Sequence, residues 1–440
     1  MKLIVVSNRL PISITRTKDG FEYIHSSGGL VTGLKSINTK IDFQWYGNLS
    51  SKGLNESDKE IIRKDCSTKF NLCPIFIDPD LNNLSYNGFC NGILWPMLHY
   101  FSDDIMLSDE YYKAYIKYNE TFCSEIMKTV EEGDIIWVHD YHLMVLPKMI
   151  RTKLQVNVKI INEILEGLVA SDLIAFHSHE YLINFIECCN KNNIKCESKL
   201  DAIPIGIDPN IFVNCIKSDE TQEKIKYYKD KFKDKKIILG LDRSDYIKGI
   251  PHRIEAYKNF LRENQKYQEN TVFIQVSVPS RTDVTEYKGY TECVNKLVSE
   301  SNSTTNQIDI NNIYLVNQSV DFNTLCALYY VSDVLLITSL RDGMNLVAME
   351  YVISNFDTKG VLILSEFTGV VSTLPGSLII NTWNTYNISK SIKQALEMDQ
   401  EERNKRHEIN KKNVYNFTSF KWAEDNLNAL EIDWEHEIKK

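Results

Sequence analysis

The chain has 440 residues, 43% of them apolar and 25% charged, enough apolar material for two full cores. A net charge of −9 excludes a general nucleic-acid binder, which needs a basic surface, so any anionic ligand must meet cations gathered locally. No run of about 18 apolar residues occurs, so no membrane span is expected. The ten cysteines form no C-x-x-C pair and read as reduced thiols, which points to the cytoplasm.

The chain opens with an apolar strand at 3–6 and a loop through Ser7, Asn8 and Arg9, too short for a signal-peptide core. Further strands are expected at 43–46, 74–77, 135–138, 158–161, 173–176 and 202–205, with helical patterns at 109–130 and 180–190 between them. A second series follows Pro209. A charged helix at 217–236 leads into strands at 237–241, 272–276, 313–316, 334–337, 361–364 and 378–380, with helices at 250–263, 286–300, 322–331 and 346–354. This alternation predicts an α/β chain of two Rossmann-like domains facing across a cleft, with parallel sheets covered by helices. The expected domains are 1–204 and 205–417, and residues 418–440 return to the first through a final helix at 420–430. Ligands of such sheets bind outside the carboxyl ends of the strands.

The motifs fall just after strands. Arg243 and Lys248, five apart in the loop after strand 237–241, can both reach one diphosphate, Arg with a planar fork and Lys as a point charge. Two solvated surface cations are the competing reading, and Gly249 with the helix behind it favours function because a helix start is an anion site. After strand 334–337 come Arg341, Asp342, Gly343, Met344, Asn345, Leu346 and Val347, opening a helix that carries Glu350. Gly343 permits a tight turn, the amides of 344–347 can cradle phosphate, and Glu350 can accept from a ribose diol. Arg281, after a third strand, adds a cation. In the first half, Gly28 and Gly29 lie in a glycine-rich loop where backbone can approach phosphate or sugar. Trp45, Tyr86, Trp95 and Tyr141 can stack on sugar faces, although aromatics are more often core. His139 and His142 lack a third ligand at metal spacing, and Asp140 between them suits a sugar hydroxyl better.

Together these segments resemble the trehalose-6-phosphate synthases, retaining glycosyltransferases of the two-domain GT-B fold. The resemblance is strongest at Tyr86-Asn87-Gly88-Phe89, Leu94-Trp95-Pro96, Trp137-Val138-His139-Asp140-Tyr141-His142-Leu143, Asp245-Tyr246-Ile247-Lys248-Gly249, Val278-Pro279-Ser280-Arg281 and Arg341-Asp342-Gly343-Met344-Asn345-Leu346-Val347. It implies glucosyl transfer from UDP-glucose to glucose 6-phosphate. Asp140, Arg243 and Lys248 are then the catalytic residues. The donor would be held by Gly28, Gly29, Arg243, Lys248, Asp342, Gly343, Met344, Asn345, Leu346, Val347 and Glu350, and the acceptor by Arg9, Tyr86, Trp95, Asp140 and Arg281. No cofactor and no metal are expected, because Arg and Lys can neutralise the leaving diphosphate. The implied partners are the two substrates, together with a trehalose-phosphate phosphatase or regulatory subunits, and neither nucleic acid nor membrane.

The chain departs from this pattern between Ile160 and Ile161. About twenty residues of the family are absent there, roughly a strand–helix connection, including a His-x-Pro-Phe-Pro loop whose His serves near the donor glucose. Either the native enzyme carries these residues, or the chain is an impaired regulatory subunit that binds nucleotide sugar. No D-x-D-x-T motif occurs, so phosphatase activity is not expected.

Overall fold

Continuous apolar runs such as Leu3-Ile4-Val5-Val6 and Ile237-Ile238-Leu239 are buried along their whole length, as strands covered on both faces must be. In the computed structural model the described residues are 2–18, 20–25, 30–31, 34, 41–101, 105, 107–151, 167–280, 285–303 and 311–430. The chain divides into two compact units, Met1–Ile203 with Ala423–Lys440, and Pro204–Trp422. The bridge between Ile207 and Thr418 holds the stretch before the final crossing in the second unit.

The first unit contains β1 (Leu3–Arg9), β2 (Ile12–Thr17), β3 (Gly20–His25), β4 (Phe43–Asn48), β5 (Leu72–Ile75), β6 (Ile135–Val138), β7 (Leu173–Phe176) and β8 (Lys199–Ala202). Its main sheet runs β5-β4-β1-β6, all parallel. The strand order therefore reverses between β1 and β6. β2 and β3 form an antiparallel hairpin, and β7 pairs with β8 in parallel. Ile4, Val6, Tyr46, Tyr118 and Phe122 pack one face of the main sheet.

The second unit contains β9 (Lys236–Arg243), β10 (Thr271–Val278), β11 (Ile313–Val316), β12 (Val334–Ile337), β13 (Val361–Ser365) and β14 (Leu378–Ile380). Its order, β11-β10-β9-β12-β13-β14, is that of the doubly wound dinucleotide fold, with the switch point between β9 and β12. Helix Ile250–Glu263 packs Ile254, Tyr257 and Phe260 into its core.

Local chemistry explains where elements differ from expectation. The strand expected at 74–77 is β5, which starts earlier because the left-handed Asn71 ends the preceding helix directly before it. The strand expected at 202–205 is β8, which stops ahead of Pro204, a residue with no amide to continue a ladder. The helix expected at 217–236 runs from Asp219 to Lys231, and a further helix that was not expected, Pro209–Lys217, precedes it. Ser218 is extended between them and accepts from the Thr221 amide. The strand expected at 158–161 lies outside the described residues.

One buried ion pair ties the second sheet together. Arg253 is 0% exposed and its Nη2 donates to Asp242 Oδ2 at 2.5 Å. The same guanidinium donates to Thr338 Oγ1 (2.8 Å), Gln275 Oε1 (3.3 Å) and the Lys248 carbonyl (3.2 Å). Gly240 makes room for it, since a Cβ there would stand 2.6 Å from Arg253 Nη1 and 2.4 Å from Gln275 Oε1. Burial still holds the Asp242 carboxyl above its ordinary range, although Arg253 and Lys248 pull the other way. The pair is thus costly to desolvate, and breaking one side leaves the other uncompensated. Arg253→Met is expected to destabilise the chain by about 3–5 kcal/mol, and adding Asp242→Leu should recover much of that. Urea midpoints of the wild type, the single and the double variant check this.

Candidate functional site

In the second unit the loops after β9 and β12 meet at the switch point, where the Leu340 amide donates to the Ile247 carbonyl at 2.6 Å. Arg243 closes β9 with its side chain 45% exposed and its Nη2 3.6 Å from Asp245 Oδ2. Asp245 also caps the 3-10 turn Tyr246–Lys248 by accepting from the Ile247 amide. That turn ends on Gly249, at φ 61°, where a Cβ would lie 2.1 Å from the Thr338 carbonyl oxygen. Only glycine fits such a close approach in that conformation.

The turn delivers Lys248, 9% exposed, to Asp342, with Nζ to Oδ2 at 2.5 Å. Asn345 Nδ2 (2.9 Å) and Ser339 Oγ (3.2 Å) donate to the same oxygen. Burial alone would raise the Asp342 carboxyl, but the Lys248 charge and these hydrogen bonds outweigh it and hold it below its ordinary range. Asn345 caps helix Leu346–Ser354, taking the Ala348 amide at 3.2 Å and leaving the Leu346 and Val347 amides at the open first turn. Glu350, within that helix, accepts from Tyr329 Oη at 2.7 Å, and burial pushes its carboxyl up.

In the first unit the corresponding reversal lies between β1 and β6. Arg9 ends β1, exposed, with its guanidinium 4.4 Å from the centre of the Tyr86 ring. Tyr86 sits in a π-helix, Asn83–Leu94, a rare geometry that is frequent at functional sites. Asp140 follows β6 at φ 75°, ψ 161°, a region almost reserved for glycine. Its Oδ1 accepts from the Tyr141 amide at 2.8 Å, and its Oδ2 lies 3.3 Å from His142 Nδ1. Burial raises this carboxyl, but His142 and the Tyr141 amide win and bring it down to about 2. His139, buried beside it, is pushed down by burial to about 3, so both neighbours of the loop keep one charge state near neutral pH.

The structure thus gathers Arg243, Lys248, Asp342, Gly343, Met344, Asn345, Leu346, Val347 and Glu350 in one unit, and Arg9, Tyr86, Trp95 and Asp140 in the other. Gly28, Gly29, Arg281 and the Ile160–Ile161 junction lie outside the described residues. Two aromatics considered for stacking are structural: Trp45 is buried in β4 and donates to Ser7 Oγ at 2.8 Å, and Tyr141 is buried and donates to Asn91 Oδ1 at 3.0 Å. The turn expected at Gly343 is made by Asn345, whose φ is 74°, while a Cβ on Gly343 would meet open space. Among the described residues no group of three or more His, Cys, Asp or Glu is arranged to hold a metal ion, and no helix is long and apolar enough to cross a membrane. The sequence reading missed Arg253 and Tyr329. A lone Arg on an amphipathic helix and a Tyr in an apolar one carry no signal that either braces a polar site.

Comparison with known proteins supplies the remaining evidence. The model of glycosyltransferase family 20 matches residues 1–161 and 157–432, two segments that meet where residues were expected to be missing. An Encephalitozoon cuniculi alpha,alpha-trehalose-phosphate synthase [UDP-forming] is 51% identical, with all of both chains covered. That alignment spans 457 positions against the 440 residues here, so the relative has residues this chain lacks. A structure described as trehalose-6-phosphate from E. coli bound with UDP-2-fluoro glucose has a TM-score of 0.86 at 26% identity, covering 98% of this chain and 99% of its own. A Burkholderia xenovorans alpha,alpha-trehalose-phosphate synthase in complex with glucose-6-phosphate has a TM-score of 0.85 at 25% identity, covering 98% and 100%. The parallel sheets match those of these enzymes, and the chain belongs to glycosyltransferase family 20.

Proposed function

We propose that this chain transfers glucose from UDP-glucose to glucose 6-phosphate, with retention, forming trehalose 6-phosphate and UDP. The observation that carries this is the buried Lys248–Asp342 pair at the switch point of the second sheet, beside Arg243. Lys248 has three donor hydrogens, so it can hold Asp342 and still donate to a diphosphate. Arg243 offers its planar fork to the same group. Asp342, Gly343, Met344 and Asn345 surround the donor glucose, the amides of Leu346 and Val347 face the nucleotide side, and Glu350 accepts from the ribose diol.

In the first unit Arg9 takes the acceptor phosphate, Tyr86 and Trp95 bound the sugar, and Asp140 accepts from a hydroxyl. Gly28 and Gly29 complete the donor assignment, and Arg281 completes the acceptor assignment. The strain of about 1–3 kcal/mol at Asp140 supports a functional role, since such conformations persist where the mechanism uses them. The leaving phosphate oxygen takes the acceptor's proton, so no side-chain nucleophile is required. Catalysis is then positioning and electrostatic stabilisation, and Arg243 with Lys248 can neutralise the diphosphate without a metal. The product is a phosphate ester, which makes a phosphatase acting on it the natural partner class. Ten free cysteines support a cytoplasmic location.

Incubation with both substrates is expected to release UDP and form a non-reducing disaccharide phosphate. Lys248→Ala should lower the rate by about 10²–10³, and a wild-type rate no higher than this variant's would contradict the proposal. Glu350→Gln should weaken UDP binding roughly tenfold or more, as loss of a charged acceptor does, measured by calorimetry. Asp140→Gly and Asp140→Ala should both abolish transfer, with the glycine variant more stable by about 1 kcal/mol because only it relieves the backbone. Equal melting temperatures for the two would contradict the strain assignment.

A further inference from the structure

His142 is 7% exposed, yet among the described residues neither of its ring nitrogens has a well-aligned hydrogen bond. Its Nδ1 lies 3.3 Å from Asp140 Oδ2, in a contact too oblique to count as one. An unsatisfied imidazole is an expensive way to fill a core position that phenylalanine or leucine would fill without polar atoms. The backbone of His142 is anchored independently, since its carbonyl accepts from Asn119 Nδ2 at 3.2 Å. The ring is also fixed. It stacks on Tyr86 at 5.5 Å and 11° and lies 4.0 Å from the Tyr141 ring, which in turn packs 5.5 Å from Trp95. His142 therefore links two pieces of the first unit: the loop with Asp140 and Tyr141, and the continuous helical segment that carries Tyr86 and Trp95.

We propose that His142 is a positioning residue for the acceptor, one that sets the Asp140 carboxylate relative to the Tyr86 ring. This rests on the acceptor assignment made above. Asp140 is half exposed at 50% and the Tyr141 amide holds only its Oδ1, so the setting of Oδ2 falls to His142. When the acceptor engages Asp140, the oblique contact straightens and Nδ1–H donates to Oδ2. The lone pairs turned to solvent then accept from the sugar hydroxyl. Contacts of this kind are commonly misaligned before substrate binds and tighten afterwards. Tyr86, carrying Arg9 over its face, is held by the same imidazole, so the groups assigned to the phosphate and to the hydroxyl share one spacing.

Three substitutions separate positioning from packing. His142→Phe keeps the ring and removes both nitrogens. His142→Asn places an amide N–H close to the Nδ1 position, and His142→Gln places one close to Nε2. Calorimetry with glucose 6-phosphate is expected to show about 10- to 100-fold weaker binding for His142→Phe and His142→Gln, and recovery of most of it for His142→Asn. In steady-state assays the acceptor KM should rise while the UDP-glucose KM stays at the wild-type value. Wild-type affinity in His142→Phe would overturn the inference. So would equal losses for Asn, Gln and Phe, or a rise in both KM values with a lowered melting temperature, because each marks a packing role. The readout is binding, so it decides the matter even where transfer is absent. A wild-type protein that does not bind glucose 6-phosphate would instead overturn the acceptor assignment itself.

Discussion

The donor half of this molecule depends on a charge that never meets solvent. Arg253 neutralises Asp242 at the end of β9 and also grips the Lys248 carbonyl, Gln275 on β10 and Thr338 just beyond β12. Those contacts reach both strands that flank the switch point and the turn that carries the buried lysine. An apolar side chain in the same space would cost less to desolvate. It would also leave the Lys248 carbonyl and Gln275 without these bonds, and the turn free to move. Buried polar networks that are fully satisfied rigidify the parts they join, and here those parts present Arg243 and Lys248.

Both sheets use one topological device. A parallel sheet whose strand order reverses leaves a crevice where neighbouring loops diverge. In the first unit Arg9 and Asp140 follow the strands on either side of that reversal, and in the second unit Arg243 and Asp342 do the same. The electrostatics differ between the two. Lys248 and Asp342 are mutually neutralised before any ligand arrives, whereas Arg9 and the half-exposed Asp140 are linked through the Tyr86 ring and the His142 imidazole. Under the proposed assignment, that difference suits a diphosphate that needs a rigid cradle and a small sugar phosphate that needs adaptable contacts.

Much of this was legible in the residues. The apolar runs marked the strands of the second unit closely, because a strand buried on both faces has little freedom in composition. The placement of Arg9, Asp140, Arg243, Lys248 and Asp342 at or just after strand ends was legible as well. The π-helix was not, since its hydrogen-bond register leaves no mark in an apolar pattern. The hairpin of β2 and β3 was also missed, although Ile12, Ile14 and the polar residues between them alternate as a half-exposed strand should. His142 read as half of a failed metal pair because spacing shows which residues are near one another and not what they face. Gly343 drew attention as the turn former, while the left-handed residue is Asn345, whose short polar side chain supports that conformation and caps the next helix. The departure between Ile160 and Ile161 was legible only through the family resemblance, and the two-part match to the family falls at the same place.

The central claim is that a buried pair with no ligand contact of its own shapes the diphosphate site. Calorimetric titration of UDP into Arg253→Met, at a temperature where the variant is folded, tests it most directly. The expected result is a loss of affinity of at least tenfold, comparable to removing a ligand-contacting group, with the wild-type value as reference. Wild-type affinity in the folded variant would show that Arg253 serves stability alone and that the diphosphate site holds its shape without it.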